Sequence, residues 1–190
     1  MLTSAVIKNF RFKVWFGSFC EKRILNAAKE WNGEILVCPF QCLAEVDLSA
    51  EIAGNGDCIK RLTGISESIG STVFCGVKTK ILEIKHISAA VCNKGRLIDI
   101  VDRTSNPYDD EFGISGKLKI FVCKEGRVGL LVDSDCLIES NWKRTAPHCD
   151  IMLCLNRGNS EFARQEVRLF SATYKTPYLY VDEQGIEWHE

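Results

Sequence analysis

Hydrophobic and polar positions follow two different periods along this chain, and the changes of period mark its predicted elements. Short unbroken apolar runs at residues 34–40 and 71–78 are typical of buried strands. Helical spacing predicts one helix from Ser18, where Ser18 and Glu21 form a capping-box pattern, and a second from about Asp57 to Gly70. The first helix is predicted to end at Gly33 and to turn these apolar residues inward: Cys20, Ile24, Leu25, Ala28 and Trp31.

The rest of the pattern predicts hairpins in the middle of the chain and alternating helices and strands at its end. Asn93-Lys94-Gly95 and Lys124-Glu125-Gly126 are the hairpin turns. A single strand is predicted over residues 6–14, and residues 43–56 and 103–116 read as irregular. The last elements are expected at these ranges: helix 136–146, strand 150–155, helix 160–175 and strand 177–182. This order predicts a mixed α/β layered protein with both parallel and antiparallel strand pairs.

Composition adds few constraints. The 190 residues suggest one domain, 1–190, with 46% hydrophobic and 26% charged residues. A formal net charge of −1 gives no electrostatic reason to expect nucleic acid or an anionic membrane as a partner. No apolar run approaches the roughly 20 residues of a membrane span. The first residues lack the apolar core of a signal peptide, so a cytoplasmic protein is expected.

Ten cysteines are the unusual feature of the composition. Most lie inside apolar runs, where a free cysteine behaves as a small hydrophobe, so we interpret them as reduced core residues. A zinc site is the rival interpretation, from the pairs Cys38/Cys42 and Cys149/Cys154 with His148 nearby. The chain has no CxxC pair, and structural zinc sites usually have closer ligands. It also has no phosphate-binding glycine motif, so neither a metal nor a cofactor is predicted.

One strand ends in an acidic corner. Residues 126–140 read as a turn, a short apolar strand, and then Asp133 and Asp135, with a helix to follow. An abrupt polar corner after a strand is a common place for a reactive side chain. A nucleophile is therefore sought at this corner.

Several segments, taken in order, carry a family resemblance. They are GEILVCPF, FCGV, ISAAVCNKGRLIDIVDRT, GRVGLLVDSD, HCDIMLCLN and RLFSATYKTPYLYVD. From about Ser18 to Asp182 the chain resembles the nitrilase, or carbon–nitrogen hydrolase, superfamily. The resemblance implies an αββα sandwich, here shortened at its C-terminal side, and a homodimer formed across one helical layer. It leaves a small-molecule ligand or a protein partner unidentified.

The resemblance also implies a Glu-Lys-Cys triad, in which the cysteine attacks an amide or nitrile carbon. The glutamate moves protons, and the lysine stabilises the developing oxyanion. At the three matching positions this chain has Phe40, Arg103 and Asp133, while Asp135 matches the aspartate that follows the family's cysteine. Phenylalanine cannot transfer a proton, and an arginine fork does not replace a compact ammonium. We therefore expect a catalytically degenerate protein with a binding or assembly role, in which Arg103 pairs with Asp133.

Three alternatives remain open at this point. The protein could be an active amide or nitrile hydrolase with a relocated nucleophile, Cys136 or Cys42, served by Glu45 or Glu139. A second alternative is a carboxylate metal site formed by Asp133, Asp135 and Glu45, although Asp135 could simply cap the following helix. The third is an unrelated α/β domain.

Overall fold

A computed structural model describes residues 1–27, 35–158 and 160–190. Its first sheet has the order β1-β2-β3-β5-β6-β7, with β4 paired to β5 beyond the end of β3. The strands of this sheet are β1 Leu2–Ile7, β2 Phe10–Trp15, β3 Ile35–Cys38, β4 Val46–Asp47, β5 Thr72–Ile81, β6 Ile84–Asn93 and β7 Arg96–Asp102. β2, β3 and β5 run parallel, and β5, β6 and β7 form an antiparallel meander.

The second sheet has the order β12-β11-β10-β9-β8. Its strands are β8 Lys119–Cys123, β9 Gly126–Val132, β10 Ile151–Leu155, β11 Tyr178–Val181 and β12 Ile186–His189. β9, β10 and β11 are parallel, and the two edge strands are antiparallel to their neighbours. Parallel neighbours end at the same edge of a sheet, so the residues that follow β9 and β10 lie side by side.

Helices cover the outer face of each sheet. They are α1 Glu21–Ala27, α2 Leu48–Ile52, α3 Cys58–Ser68, α4 Glu139–Thr145 and α5 Glu161–Tyr174. Ile24 of α1 and Leu62 of α3 pack on the first sheet, and Trp142 of α4 and Val167 of α5 pack on the second. A third apolar core joins the inner faces of both sheets and includes Phe74 and Leu153. The layers are therefore αββα, which confirms the predicted fold class.

The predicted helices and hairpins are found close to their expected positions, but four features differ. Residues 6–14 do not form one strand, because the chain turns at Lys8, in left-handed conformation, and forms the β1–β2 hairpin. Residues 43–56 contain β4 and α2 instead of irregular chain. The helix expected at 136–146 starts at Glu139, after a 3-10 turn, and β12 was not predicted. Ala28, Trp31 and Gly33 lie outside the described residues.

The cysteines are free thiols in the structure, and most are buried within the three cores. This placement agrees with their interpretation as small core residues. Among the described residues, no helix is both long and apolar enough to cross a membrane.

Candidate functional site

The acidic corner is a sharp turn at the end of β9. Asp133 follows Val132 directly and has φ +52°, a left-handed conformation that is uncommon for a residue with a side chain. A 3-10 turn, Asp133–Leu137, begins there. Such a conformation costs about 1–2 kcal/mol and is found disproportionately at functional sites. This turn, the elbow, is therefore a left-handed corner at the end of a strand that carries a buried carboxylate.

Asp133 is 2% exposed and forms an ion pair with the fully buried Arg103. The Nη1 atom of Arg103 donates to Asp133 Oδ2 at 3.1 Å, across 30 positions of sequence. Asp133 Oδ1 accepts the backbone N–H of Arg157 at 3.3 Å. Both carboxylate oxygens are therefore engaged, and the Arg103–Asp133 pair expected from the sequence is present.

A second carboxylate completes a cluster of four charges. Asp110 receives hydrogen bonds from both terminal nitrogens of Arg103, and Arg157 Nη2 donates to it at 2.7 Å. The ring of Phe112 lies beside both guanidinium groups, with centroid distances of 5.9 Å to Arg103 and 5.0 Å to Arg157. Burial lowers the pKa of Arg103, but the two aspartates outweigh it, so its pKa is raised and the guanidinium stays charged.

Phe40 stands at the start of a 3-10 turn, Phe40–Cys42, directly after β3. It is 3% exposed and belongs to the same inner core as Val132 and Phe112. Its ring lies against Gly76 of β5, where an added Cβ would come within 2.9 Å of Cδ2. The position that the sequence resemblance assigned to a glutamate is therefore filled with a buried apolar ring.

Asp135 does not cap the following helix, which corrects that interpretation. Its carboxylate accepts the backbone N–H and hydroxyl of Thr104 and the hydroxyl of Ser105, at 2.8–3.0 Å. Helix α4 instead begins after Ile138, without a side-chain cap. Burial raises the pKa of Asp135, while the bonds from Thr104 and Ser105 oppose that rise. Asp135 thus ties the 3-10 turn after β9 to the segment that follows β7.

The groups proposed for a relocated reaction each interact with other partners. Cys136 is fully buried, and its thiol donates to Asp133 O; burial raises its pKa well above the ordinary value. The thiol of Cys42 donates to the backbone of β2, and its interaction with a neighbouring thiol and its burial raise its pKa. Glu45 is half exposed beside Lys85, and Glu139 accepts from a tyrosine hydroxyl.

No group of three or more metal-ligating side chains occurs among the described residues. The oxygens of Asp133 and Asp135 are held by arginine, threonine and serine donors. Glu45 is held at Lys85.

Sequence reasoning missed Asp110 and Arg157. Asp110 lies in the irregular segment between β7 and β8, where no periodicity locates a side chain. Arg157 follows β10, the parallel neighbour of β9, and so lies at the same sheet edge as Asp133. This adjacency is the signal that could have located Arg157, because polar residues that follow neighbouring parallel strands lie close together.

The charge cluster predicts a pH-dependent contribution to stability. The hydrogen bond from Arg103, with help from Arg157, holds the pKa of Asp110 well below its ordinary value. A carboxylate with a depressed folded pKa stabilises the fold above its unfolded pKa of about 4, and this stabilisation is lost as the pH falls toward the folded pKa. The difference in free energy of unfolding between wild type and Asp110→Asn should therefore shrink below about pH 4.

Urea denaturation at several pH values checks this expectation. Asp109→Asn, at the exposed neighbouring aspartate, is the control and should track the wild type. A difference in free energy of unfolding between wild type and Asp110→Asn that grows toward low pH would contradict the lowered pKa of Asp110.

Solved structures similar to this chain include proteins of the nitrilase superfamily. A cysteine-to-serine variant of the Nesterenkonia AN1 amidase from that superfamily aligns with a TM-score of 0.72 at 13% identity, over 95% of this chain and 81% of the amidase. A carbon–nitrogen hydrolase from Helicobacter pylori G27 gives 0.67 at 13% identity, over 93% and 78%. Another variant of the Nesterenkonia amidase, with acrylamide added at its active-site cysteine, gives 0.70 at 12% identity, over 91% and 78%.

These likenesses show that the chain has the nitrilase fold, as its sequence resemblance implied. At the level of sequence, no family model and no curated protein matches the chain.

Proposed function

We propose that this chain is a single nitrilase-fold domain that does not carry out thiol-dependent carbon–nitrogen hydrolysis and acts as a binding or assembly module. The observation that supports this most directly is Asp133 at the elbow, with both of its oxygens held by Arg103 and Arg157. The shared inner core that joins the two sheets supports a single domain.

The three positions that the sequence resemblance matches to the triad carry none of its residue types. The carboxylate of Asp133 is buried and ion-paired, so attack would require breaking a desolvated ion pair. Phe40 cannot accept the nucleophile's proton or deliver one to a leaving amine. Arg103 can stabilise negative charge, but both of its terminal nitrogens already donate to aspartates that neutralise it.

The alternative function is amide or nitrile hydrolysis through Cys136 or Cys42. A working nucleophile must be a thiolate near neutral pH, which requires a lowered pKa and access to substrate. Both thiols are buried and have raised pKa values. The geometry therefore supports the non-hydrolytic function over this alternative.

Acrylamide provides a direct test, because it adds to the active-site cysteine of the Nesterenkonia amidase. We expect native protein to be alkylated, if at all, at the half-buried Cys20 and Cys58, and not at Cys42 or Cys136. Peptide mapping by mass spectrometry after incubation locates the adducts, with denatured protein as the fully reactive control.

Ammonia release from a panel of aliphatic amides and nitriles should not exceed that of a Cys42→Ala, Cys136→Ala double variant. Turnover that disappears on Cys136→Ala alone would replace the proposed function with hydrolysis by a relocated nucleophile.

Free thiols throughout the core also fit a reducing compartment such as the cytoplasm.

The assembly half of the proposal is a homodimer formed through α5. Phe162 and Leu169 lie two turns apart on this helix and are 61% and 57% exposed. Residues seven apart share a helix face, so they form an apolar strip on the outer layer. Pairing the same strip from two copies would bury it symmetrically.

Sedimentation should give about twice the 21.4 kDa chain mass. We expect Phe162→Ser with Leu169→Ser to yield the monomer, because the apolar strip is removed. Val122→Ser, at an exposed apolar residue of β8, is the matched control and should leave the dimer intact. A wild-type monomer at micromolar concentration, or a dimer that survives the double substitution, would remove α5 as the interface.

A further inference from the structure

We propose that Arg103 and Arg157 form a binding site for a carboxylate group of a small ligand, and that Asp110 occupies this site as a displaceable plug. The inference rests on the proposed function, because it names the chemical class of ligand for the same site. It assigns Asp110 a regulatory contact, and it assigns the two arginines the role of binding residues.

The contacts of Asp110 are those of a bound carboxylate. Its Oδ1 faces Nη2 of Arg103, and its Oδ2 accepts from Nη1 of Arg103 at 3.2 Å and from Nη2 of Arg157 at 2.7 Å. This paired arrangement on a planar guanidinium is the geometry by which arginine recognises a carboxylate. A ligand carboxylate would present the same two oxygens to the same donors.

The two aspartates of the cluster differ in their exposure. Each accepts a backbone N–H as well as bonds from Arg103, from Arg157 at 3.3 Å for Asp133 and from Phe112 at 3.1 Å for Asp110, but Asp133 is 2% exposed at the end of a buried strand. The Asp110 side chain is 23% exposed and lies in an irregular segment beside the exposed residues 107–109. Of the two carboxylates, that of Asp110 is therefore the one a ligand can reach and replace.

The segment that carries Asp110 is anchored at its base. The N–H of Gly113 donates to Lys85 O at 2.8 Å, and the hydroxyl of Ser115 donates to Asp102. Toward the tip, the local bonds of Asp110 come from its own segment: its N–H donates to Asn106 at 3.4 Å, and it accepts from Asn106 Nδ2 and from the N–H of Phe112, both at 3.1 Å. Local opening can thus release the Asp110 side chain while the base of the segment stays in place.

Charge balance explains why an anion must follow when Asp110 leaves. The closed cluster contains two arginines and two aspartates and is neutral. Without Asp110 the site carries a net positive charge around the fully buried Arg103, which is unfavourable unless an anion enters. Within the described residues, Nε of Arg103 is buried and has no hydrogen-bond partner, so the aspartates do not use every donor.

Acetate is the probe for this site, because it carries the carboxylate of Asp110 without the chain. Binding to wild type must compete with Asp110, so the apparent affinity is reduced by the small open fraction. We expect Asp110→Ala to bind acetate at least about ten-fold more tightly than wild type in calorimetric titration. Sodium acetate should also raise its melting temperature, whereas sodium chloride at equal ionic strength should not.

Three further variants make the result decisive. Asp109→Asn should bind acetate as wild type does, because it removes a negative charge from an exposed side chain next to Asp110. Asp110→Ala with Arg157→Gln should lose the tight acetate binding. Asp110→Asn preserves the shape of the plug without its charge and should also bind acetate more tightly than wild type.

Several outcomes would overturn the inference. The inference is overturned if neither Asp110→Ala nor Asp110→Asn binds acetate more tightly than wild type. It is also overturned if adding Arg157→Gln to Asp110→Ala leaves acetate binding unchanged. If Asp110→Ala fails to fold, Asp110→Asn carries the test alone. Amide turnover by wild type would contradict the proposed function, whatever the result with acetate. If there is no turnover and the Asp110 variants do not bind acetate, only this inference is contradicted.

Discussion

Replacing Phe40 with alanine should lower the free energy of unfolding by about 4 kcal/mol, the usual effect of deleting a buried aromatic ring. The ring is 3% exposed and fills the space above Gly76, in the core between the sheets. Phe40→Glu should lower the free energy at least as much, because it also buries a carboxylate among apolar side chains. Urea denaturation followed by circular dichroism measures these losses.

Gly76 provides an internal check on this prediction. Gly76→Ala alone places a methyl group within 2.9 Å of the Phe40 ring and should destabilise the fold. In the Phe40→Ala background the same methyl has room, so the double variant should lose less than the sum of the single losses. Phe40→Leu, which retains most of the apolar contact, should be milder than Phe40→Ala. Strictly additive losses would mean that the ring does not pack on Gly76.

Asp133→Asn should lower the free energy of unfolding by about 3 kcal/mol, because it breaks a buried ion pair and leaves part of the charge of Arg103 uncompensated. Asparagine is similar in shape and tolerates the left-handed backbone at this position, so the loss reports the charge and not strain. Asp109→Asn removes one charge from an exposed residue and should change stability by less than about 0.5 kcal/mol.

A double-mutant cycle with Arg103→Gln assigns the loss to the pair. Removing both charges eliminates the unpaired group, so Arg103→Gln with Asp133→Asn should lose less than the two single variants together. Urea denaturation of the four proteins gives the coupling free energy. A loss for Asp133→Asn within the range of the Asp109→Asn control would show that the pair does not stabilise the site.

The destabilisation expected from replacing Phe40 or Asp133 bears on any attempt to install the family's Glu-Lys-Cys triad. Asp133→Cys alone supplies a thiol but leaves Phe40 where a base is required. Adding Phe40→Glu and Arg103→Lys completes the residue types, yet it puts the glutamate in the dry inner core and removes the fork that binds Asp110. We therefore expect that single substitutions at the elbow do not install the family's chemistry, because the surrounding core and ion pairs accommodate Phe40, Arg103 and Asp133.

Most helices and strands, and the residue types at positions 40, 103 and 133, could be read from the chain alone. Apolar runs such as residues 71–78 and the turn Asn93-Lys94-Gly95 depend on local preferences that any matching fold must satisfy. Phe40, Arg103 and Asp133 each lie in a recognisable local pattern at the end of a strand. Their residue types differ from the Glu-Lys-Cys triad that the resemblance implies, and this difference can be seen without any coordinates.

The partners of those residues were settled only by the packing of the two sheets. Asp110 comes from a segment without periodicity, and Arg157 reaches Asp133 because β9 and β10 are parallel neighbours. Asp135 could have capped the next helix, but it accepts hydrogen bonds from Thr104 and Ser105, in the segment between β7 and β8. Hydrogen bonds and ion pairs between distant segments depend on distances that local sequence does not encode, so the cluster became visible only in three dimensions.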